Sequence, residues 1–243
     1  MTENCLIDME NVIDYSYLDR NVGEIKNKIS AAAKSAGRDE SEIVLMSAVK
    51  SADVDEINYI HRNLGISDIG ENRVQQLLER WDKLDKEGLR VHFIGSLQTN
   101  KVKYIIDKVY LIHSLDSMKL AAEIDKQAAK KGIVARVLLE INSGNEESKG
   151  GIDAACAAEF CLELKKYKNV ELCGFMTMAP RCERSEDYFP YFEKTRDLGK
   201  YIWKNVLGRE GEPVLSMGMS ESFEEAIACD SNMVRVGRGM FVK

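Results

Sequence analysis

Short runs of apolar residues alternate with longer amphipathic segments along almost the whole chain. The apolar runs are continuous rather than mixed with polar residues, which is typical of parallel strands covered by helices on both faces. Eight runs predict strands, at 43–49, 68–70, 91–95, 110–113, 135–141, 170–176, 213–217 and 233–236.

The segments between these runs have the spacing of amphipathic helices. They predict helices at 54–63, 74–84, 100–106, 118–130, 154–167, 187–206 and 221–229. A further helix precedes the first strand, where Leu18, Val22 and Ile25 begin a helical repeat that Gly37 brings to an end. Asp116 with Ser117, and the segment from Ser220 to Ser222, offer N-cap side chains at helix starts.

This alternation predicts a single (β/α)8 barrel of the α/β class with an extra N-terminal helix. An open doubly wound sheet would need a Gly-x-Gly-x-x-Gly turn after the first strand, where the chain instead reads Val-Lys-Ser-Ala at 49–52. We find no linker, internal repeat or low-complexity tract. We therefore expect one domain over residues 1–243.

Composition and charge narrow the classes of function. The 243-residue chain is 44% hydrophobic and carries a net charge of −6, which argues against a nucleic-acid partner. Its six cysteines form no Cys-x-x-Cys pair and no zinc-type group with the three histidines, so we expect reduced thiols and no metal. The acidic N-terminus does not resemble a signal peptide, and no apolar run is long enough to span a membrane. The sequence predicts a cytoplasmic protein.

Lys50 directly follows the first predicted strand. Barrel active sites lie at the carboxyl ends of the strands, so this lysine is expected at the barrel mouth. Partial desolvation there would favour the neutral amine, which is the form that attacks an aldehyde. From its position alone, an ordinary strand-end lysine is the simpler interpretation.

The loops after the last two predicted strands are rich in small residues, with the sequences SMGMS at 216–220 and VRVGRG at 234–239. Barrels frequently bind phosphate with these two loops, through backbone N–H groups and a helix N-terminus. Tight βα turns alone would also require glycine, but small residues in both loops favour a phosphate site. The residues expected to admit or bind the anion are Gly218, Gly237, Gly239 and Ser220.

Seven motifs resemble the pyridoxal phosphate homeostasis proteins, also known as proline synthetase co-transcribed homologues. They are SAVK at 47–50, GENRVQ at 70–75, HFIGSLQTNK at 92–101, ESKGG at 147–151, GFMTMAP at 174–180, LSMGMS at 215–220 and VRVG at 234–237. They occur in the family's order and extend the resemblance from about residue 18 to residue 242. Each motif alone is weak, but together they are specific.

The resemblance implies an alanine-racemase-like barrel that holds pyridoxal 5′-phosphate as a Schiff base on Lys50. Ser220, Gly237 and the backbone of Arg238 would bind the phosphate, and Asn72 would lie close to the cofactor. Arg235 would face the pyridine nitrogen as a permanent donor, which weakens the ring as an electron sink. A rim salt bridge is the alternative for Arg235. The family is regarded as binding, buffering or delivering the cofactor, so no dedicated catalytic residue is expected.

Three positions depart from the family pattern. Many members carry Thr or Ser where Arg238 stands, so a phosphate-binding hydroxyl is replaced by a side chain that either contacts the anion through its charge or points to solvent. Ser96 stands where the family often has His. The serine that usually precedes the lysine is at position 47, which leaves an apolar side chain beside Lys50.

Two enzymatic alternatives remain open. An amino-acid racemase or a deaminating enzyme would need a base opposite the lysine. Alanine racemase takes this base from a second, β-rich domain, whereas only four residues follow Gly239 here. His113 is the one conceivable base at the mouth. A phosphosugar-type barrel with Lys50 as its own nucleophile would explain the phosphate loops, but not Arg235 or the ordered motifs. For the carrier we expect a monomer, with enzymes that require the cofactor as its partners.

Overall fold

The predicted alternation of strands and helices is present in a computed structural model, which describes residues 14–144 and 150–243. The strands are β1 (Val44–Ala48), β2 (Asp68–Glu71), β3 (Arg90–Phe93), β4 (Leu111–Leu115), β5 (Ala135–Asn142), β6 (Ile152–Asp153), β7 (Val170–Thr177), β8 (Val214–Met219) and β9 (Met233–Val236). All eight predicted strands are confirmed; only β6 was not foreseen.

The α-helices follow the predicted order, although several are shorter than predicted. They are α1 (Ser16–Ser35), α2 (Val54–Leu64), α3 (Val74–Arg80), α4 (Val102–Ile105), α5 (Met118–Lys131), α6 (Ala157–Leu164), α7 (Phe189–Tyr201) and α8 (Phe223–Ala228). The segment predicted as one helix over 187–206 ends in a π-helical turn, Ile202–Val206. Ser117 caps α5 as expected, whereas the Ser222 hydroxyl accepts from the backbone N–H of Met219 instead of capping α8.

Eight of the strands close into a parallel barrel. Their order around the barrel is β4-β3-β2-β1-β9-β8-β7-β5, and β4 pairs with β5 to complete the ring. The short strand β6 pairs only with β5, outside this ring. Because every pairing is parallel, the carboxyl ends of the strands meet at one end of the barrel. The closed barrel is confirmed over the open sheet.

Helix α1 supplies a second layer against one side of the barrel. Its apolar face, which includes Leu18, Val22 and Ile29, is buried in a cluster with residues of α8 and β9. The side-chain amide of Asn21 donates to the main-chain oxygens of Met240, at 3.1 Å, and Val242, at 2.8 Å. The extra helix therefore also anchors the last residues of the chain, directly after the predicted phosphate loop.

The interior of the barrel is partly polar. A small apolar cluster of Leu111, Leu138 and Met176 fills part of it. The remaining interior holds buried polar side chains that hydrogen-bond to one another, among them His92 and His113. The larger apolar core lies between the outer faces of the strands and the helices.

In the part of the chain that the structure describes, no group of His, Cys, Asp or Glu is arranged to hold a metal ion. The five cysteines described there are free thiols; Cys5 lies outside the described residues. Across the described ranges, no helix combines the length and the apolar character needed to cross a membrane.

Candidate functional site

A cavity of about 240 Å³ opens at the carboxyl end of the barrel and brings together all six predicted site residues. Five of these residues follow a strand and Arg235 lies one residue before the end of β9, so their convergence follows from the parallel arrangement. The wall between them is largely apolar and includes Ile94, Met178 and Met219. The predicted residues that line the cavity are Lys50, Asn72, Ser220, Arg235, Gly237 and Arg238.

Lys50 lies two residues beyond β1, and helix α3 holds the main chain of its loop. The side-chain amide of Gln76 donates to the oxygen of Lys50 at 3.1 Å. The Arg80 guanidinium donates to the oxygens of Val49, at 3.0 Å, and Ala52. The Lys50 residue is itself exposed. The expected partial desolvation of its amine is therefore wrong, because the loop carries this residue past the apolar strand to the open mouth.

Arg80 also binds the strand that leads to Asn72. Its Nη1 lies 2.9 Å from Oε1 of Glu71, whose side chain is fully buried. Burial raises the pKa of Glu71, although the hydrogen bond from Arg80 opposes the rise. The next residue, Asn72, has a buried Oδ1 without a hydrogen-bond partner. Since a buried polar atom is normally paired, this oxygen is a position where a ligand could donate.

Arg235 is held as a donor on the inner wall of the cavity. Its Nη1 donates to the main-chain oxygen of Ser216 at 2.6 Å and to the Ser216 hydroxyl at 2.7 Å, and its Nη2 donates to the oxygen of Thr177 at 2.9 Å. These bonds use three of the five guanidinium N–H groups and leave two for a ligand. Burial lowers the pKa of Arg235 to about 10, so the group stays charged at neutral pH.

The loop after β9 lies directly against β1. A Cβ atom on Gly237 would stand only 2.7 Å from the main-chain oxygen of Ala48, so no other residue fits there without a shift. The backbone N–H of Gly237 donates to the hydroxyl of Ser220 at 3.3 Å, which joins the two predicted phosphate loops. Gly239 does not have the expected role, because it is exposed, has open space around it and does not line the cavity.

Arg238 forms an ion pair at the rim of the cavity. Its Nη1 contacts Oε1 of Glu221, and both side chains are largely exposed. The two alternatives considered for Arg238 were a contact with the phosphate and an orientation to solvent. In the structure the guanidinium instead neutralises a carboxylate that lines the same cavity.

His113 does not lie at the mouth. It is fully buried inside the barrel, where its ring nitrogens hydrogen-bond to His92 and Ser216. Burial, together with the neighbouring His92 and the charge of Arg235, lowers the pKa of His113 well below 6.5, so its ring is neutral. The one base considered for a racemase mechanism is therefore not among the residues that line the cavity.

Some site residues were missed by sequence reasoning. Met178, Ala179 and Pro180 line the cavity and lie in the motif at 174–180, so the motif could have identified them. Arg80 and Tyr188 carry no local signal, because each lies in an ordinary amphipathic segment. Of the motif at 147–151, only Gly150 and Gly151 are among the described residues.

The arrangement suits a small ligand with four different groups. An anion would meet the N–H of Gly237 and the hydroxyl of Ser220, an acceptor ring nitrogen would meet Arg235, and an aldehyde carbon would face the amine of Lys50. The unpaired oxygen of Asn72 would accept from a ligand hydroxyl. Pyridoxal phosphate carries all four groups, so the residues present fit it.

Comparisons with known proteins agree with this fit. A family model described as alanine racemase, N-terminal domain, matches residues 13–243. The chain is 42% identical over 223 residues to the pyridoxal phosphate homeostasis protein of Aquifex aeolicus, covering 90% of this chain and 95% of that protein.

Two solved structures also match over most of the chain. A protein of unknown function from Bifidobacterium adolescentis is 31% identical, with a TM-score of 0.87 over 96% of this chain and 98% of that one. PipY of Synechococcus elongatus PCC7942, solved with pyridoxal phosphate bound, is 25% identical, with a TM-score of 0.73 over 88% of this chain and 100% of that one.

Proposed function

This chain belongs to the pyridoxal phosphate homeostasis protein family, and on that premise we propose that it binds pyridoxal 5′-phosphate and takes part in keeping the free cofactor in balance. Residues 1–243 form one cofactor-binding barrel domain in this proposal. The protein holds, buffers or delivers the cofactor and performs no robust catalytic turnover.

Lys50 is the covalent anchor. Its amine would condense with the aldehyde of the cofactor with release of water, and the cofactor would supply an electron-withdrawing ring. Arg80 and Gln76 hold the Lys50 loop by its main-chain oxygens, so the amine is presented from a fixed backbone. Because Lys50 is exposed, water and competing amines reach the linkage, which favours exchange of the cofactor.

The other five residues bind without reacting. Ser220 and the backbones of Gly237 and Arg238 hold the phosphate, and Asn72 accepts from the ring hydroxyl. Arg235 donates to the ring nitrogen and, being a cation at neutral pH, keeps that nitrogen unprotonated. A ring nitrogen without its proton draws electrons weakly, so the bound ring would be a weak electron sink.

The convergence of an exposed lysine, a guanidinium with two unused N–H groups and an unpaired Asn72 oxygen in one cavity carries this proposal. An ordinary strand-end lysine would explain none of the other features.

The test is a titration of the purified protein with pyridoxal phosphate, followed by borohydride reduction and peptide mapping. We expect a yellow protein that binds one equivalent and a reduced adduct on Lys50. Lys50→Ala should lose the adduct but keep weak binding that inorganic phosphate inhibits. Lys130→Ala, a change in an exposed lysine that does not line the cavity, is the matched control. A protein that takes up no cofactor would refute the proposal.

The carrier role and its partners have their own test. By light scattering we expect a monomer. In a reactivation assay, we expect the loaded protein to restore the activity of an apoenzyme that requires pyridoxal phosphate faster than the same concentration of free pyridoxal phosphate does. Efficient racemisation or elimination in a screen of amino acids would show instead that the protein is an enzyme.

A further inference from the structure

A continuous chain of buried hydrogen bonds crosses the barrel interior from Asp68 to Arg235. Nε2 of His92 lies 2.9 Å from Oδ1 of Asp68, and Nδ1 of His92 lies 3.0 Å from Nε2 of His113. Nδ1 of His113 lies 3.0 Å from the hydroxyl of Ser216, which in turn lies 2.7 Å from Nη1 of Arg235. All five residues are buried, so no water competes for these bonds.

The chemistry of the end groups sets the direction of every bond. The guanidinium of Arg235 can only donate, so the Ser216 oxygen accepts from it and the Ser216 proton is free to go to Nδ1 of His113. Because that nitrogen accepts, His113 carries its proton on Nε2 and donates to Nδ1 of His92. His92 therefore carries its proton on Nε2 and donates to Asp68.

The reverse order leaves a proton without an acceptor. If His113 donated to Ser216, then His92 would have to be doubly protonated, because it would donate at both ring nitrogens. The hydroxyl proton of Ser216 would then have no partner among the contacts of the described residues. The order from Arg235 towards Asp68 pairs each proton with one acceptor.

Asp68 is anchored at the far end by Arg90. The Arg90 Nε donates to Oδ1 at 2.8 Å and its Nη2 to Oδ2 at 2.5 Å. Burial acts to raise the pKa of Asp68, but the hydrogen bonds from His92 and Arg90 outweigh it and hold that pKa below its ordinary value. The chain thus ends on a carboxylate, and successive hydrogen bonds in a dry interior polarise one another.

We propose that Asp68, His92, His113 and Ser216 form a positioning relay that fixes Arg235 as a donor towards the ring nitrogen of the bound cofactor. The inference rests on the proposed cofactor-binding function. The relay keeps the Ser216 oxygen available as an acceptor, so the Arg235 fork cannot turn away from the cavity. The Asp68 carboxylate, at the other end of the chain of hydrogen bonds, polarises the Ser216 oxygen. The buried guanidinium of Arg235 therefore keeps a polarised acceptor.

The first test uses the protein without cofactor. The chain has three histidines, so a long-range ¹⁵N–¹H spectrum of the imidazoles is simple, and His61→Gln identifies the third ring. We expect His92 and His113 both to carry a single proton on Nε2 at pH 7. A proton on Nδ1 of either ring, or a doubly protonated His92, would overturn the relay whether or not the protein binds pyridoxal phosphate.

The second test cuts the relay next to Arg235. Ser216→Ala removes the hydroxyl but keeps the main-chain oxygen that also binds Arg235. We expect about tenfold weaker cofactor binding, the scale of one hydrogen bond to a charged group, together with a shifted absorption maximum of the bound cofactor. Ser114→Ala is the matched control, because Ser114 is equally buried but its hydroxyl has no partner.

These outcomes separate the two proposals. If Ser216→Ala binds and absorbs like the wild type and like Ser114→Ala, the relay is refuted while the cofactor-binding function stands. If the wild-type protein takes up no cofactor, the proposed cofactor-binding function is refuted. The positions of the protons on His92 and His113 then decide alone whether the relay exists. Asp68→Asn should shift the absorption in the same direction as Ser216→Ala; a folded Asp68→Asn protein with unchanged absorption would remove Asp68 from the relay.

Discussion

Nη1 of Arg80 lies 3.0 Å from the main-chain oxygen of Val49, the residue that precedes Lys50. The same nitrogen lies 2.9 Å from the buried carboxylate of Glu71, the residue that precedes Asn72. One guanidinium on α3 thus ties together the two loops that carry the predicted anchor and its neighbour. Arg80 touches neither of these two side chains, but it fixes the backbone beneath both.

Replacing Arg80 should destabilise the protein more than a surface mutation would. Arg80→Met leaves the Glu71 carboxylate buried without its cation, which costs about 3–5 kcal/mol of the free energy of unfolding. The measurement is urea unfolding of the wild type and the variant. Glu71→Gln in the Arg80→Met background removes the stranded charge and should recover part of the loss. A double variant as unstable as Arg80→Met would show that the charge is not the cause.

Gly237→Ala should move the phosphate loop away from β1. Its Cβ would lie 2.7 Å from the Ala48 oxygen, and relieving such an overlap costs about 1–3 kcal/mol. We expect a lower unfolding midpoint and weaker binding of both pyridoxal phosphate and inorganic phosphate. Gly239→Ala, two residues further along in open space, should leave both quantities unchanged. Equal effects of the two substitutions would refute the close approach.

The ion pair of Arg238 and Glu221 should influence affinity for the phosphate rather than stability. Both side chains are exposed, so neither substitution should change the unfolding midpoint measurably. Arg238→Ala leaves the Glu221 charge at the rim and should weaken cofactor binding by up to about fivefold, the scale of an exposed ion pair. Glu221→Gln should strengthen it, and both effects should shrink as salt is added. Effects that do not depend on salt would contradict this electrostatic origin.

Glu140 should make stability depend on pH near neutrality. Burial raises the pKa of Glu140 to about 7, Asp116 adds to the rise and Arg235 opposes it. Since the folded pKa exceeds the ordinary value of 4.5, the favourable contribution of the protonated group is complete below pH 4.5 and is lost as the pH rises through 7.

Glu140→Gln removes this dependence. The free energy of unfolding of the variant, relative to the wild type, should rise by about 2 to 3 kcal/mol between pH 5 and pH 8. Urea unfolding at both pH values measures the change. Glu163→Gln, which alters an exposed carboxylate, should show no such trend. A difference between Glu140→Gln and wild type that is the same at both pH values would contradict the raised pKa.

The elements of the barrel were largely predictable because each leaves a local pattern. Continuous apolar runs mark buried parallel strands, and all eight predicted strands are present. The helix boundaries were less accurate where α-helix gives way to tighter or wider turns, as at the π-helical turn Ile202–Val206. Apolar spacing does not distinguish these helical forms, since it differs little among them over a few residues.

The position of the site was also predictable from the sequence. Once the strands are parallel and closed, residues after their carboxyl ends must converge, which is why Lys50, Asn72 and Arg235 share one cavity although they are far apart along the chain. The expected desolvation of Lys50 was wrong, because burial of a strand does not determine the exposure of the loop that follows it.

The sequence by itself determined the eight strands, the mouth at which Lys50 stands, and the loops that meet there, because apolar periodicity and strand ends are local properties of the chain. Only the tertiary structure decided which partners the polar side chains have. His113 meets His92 from 21 residues away and Ser216 from 103, and these distances depend on barrel closure and strand register. No local sequence pattern specifies barrel closure or strand register. The relay behind Arg235 and the ion pair between Arg238 and Glu221 could therefore be found only in the folded chain.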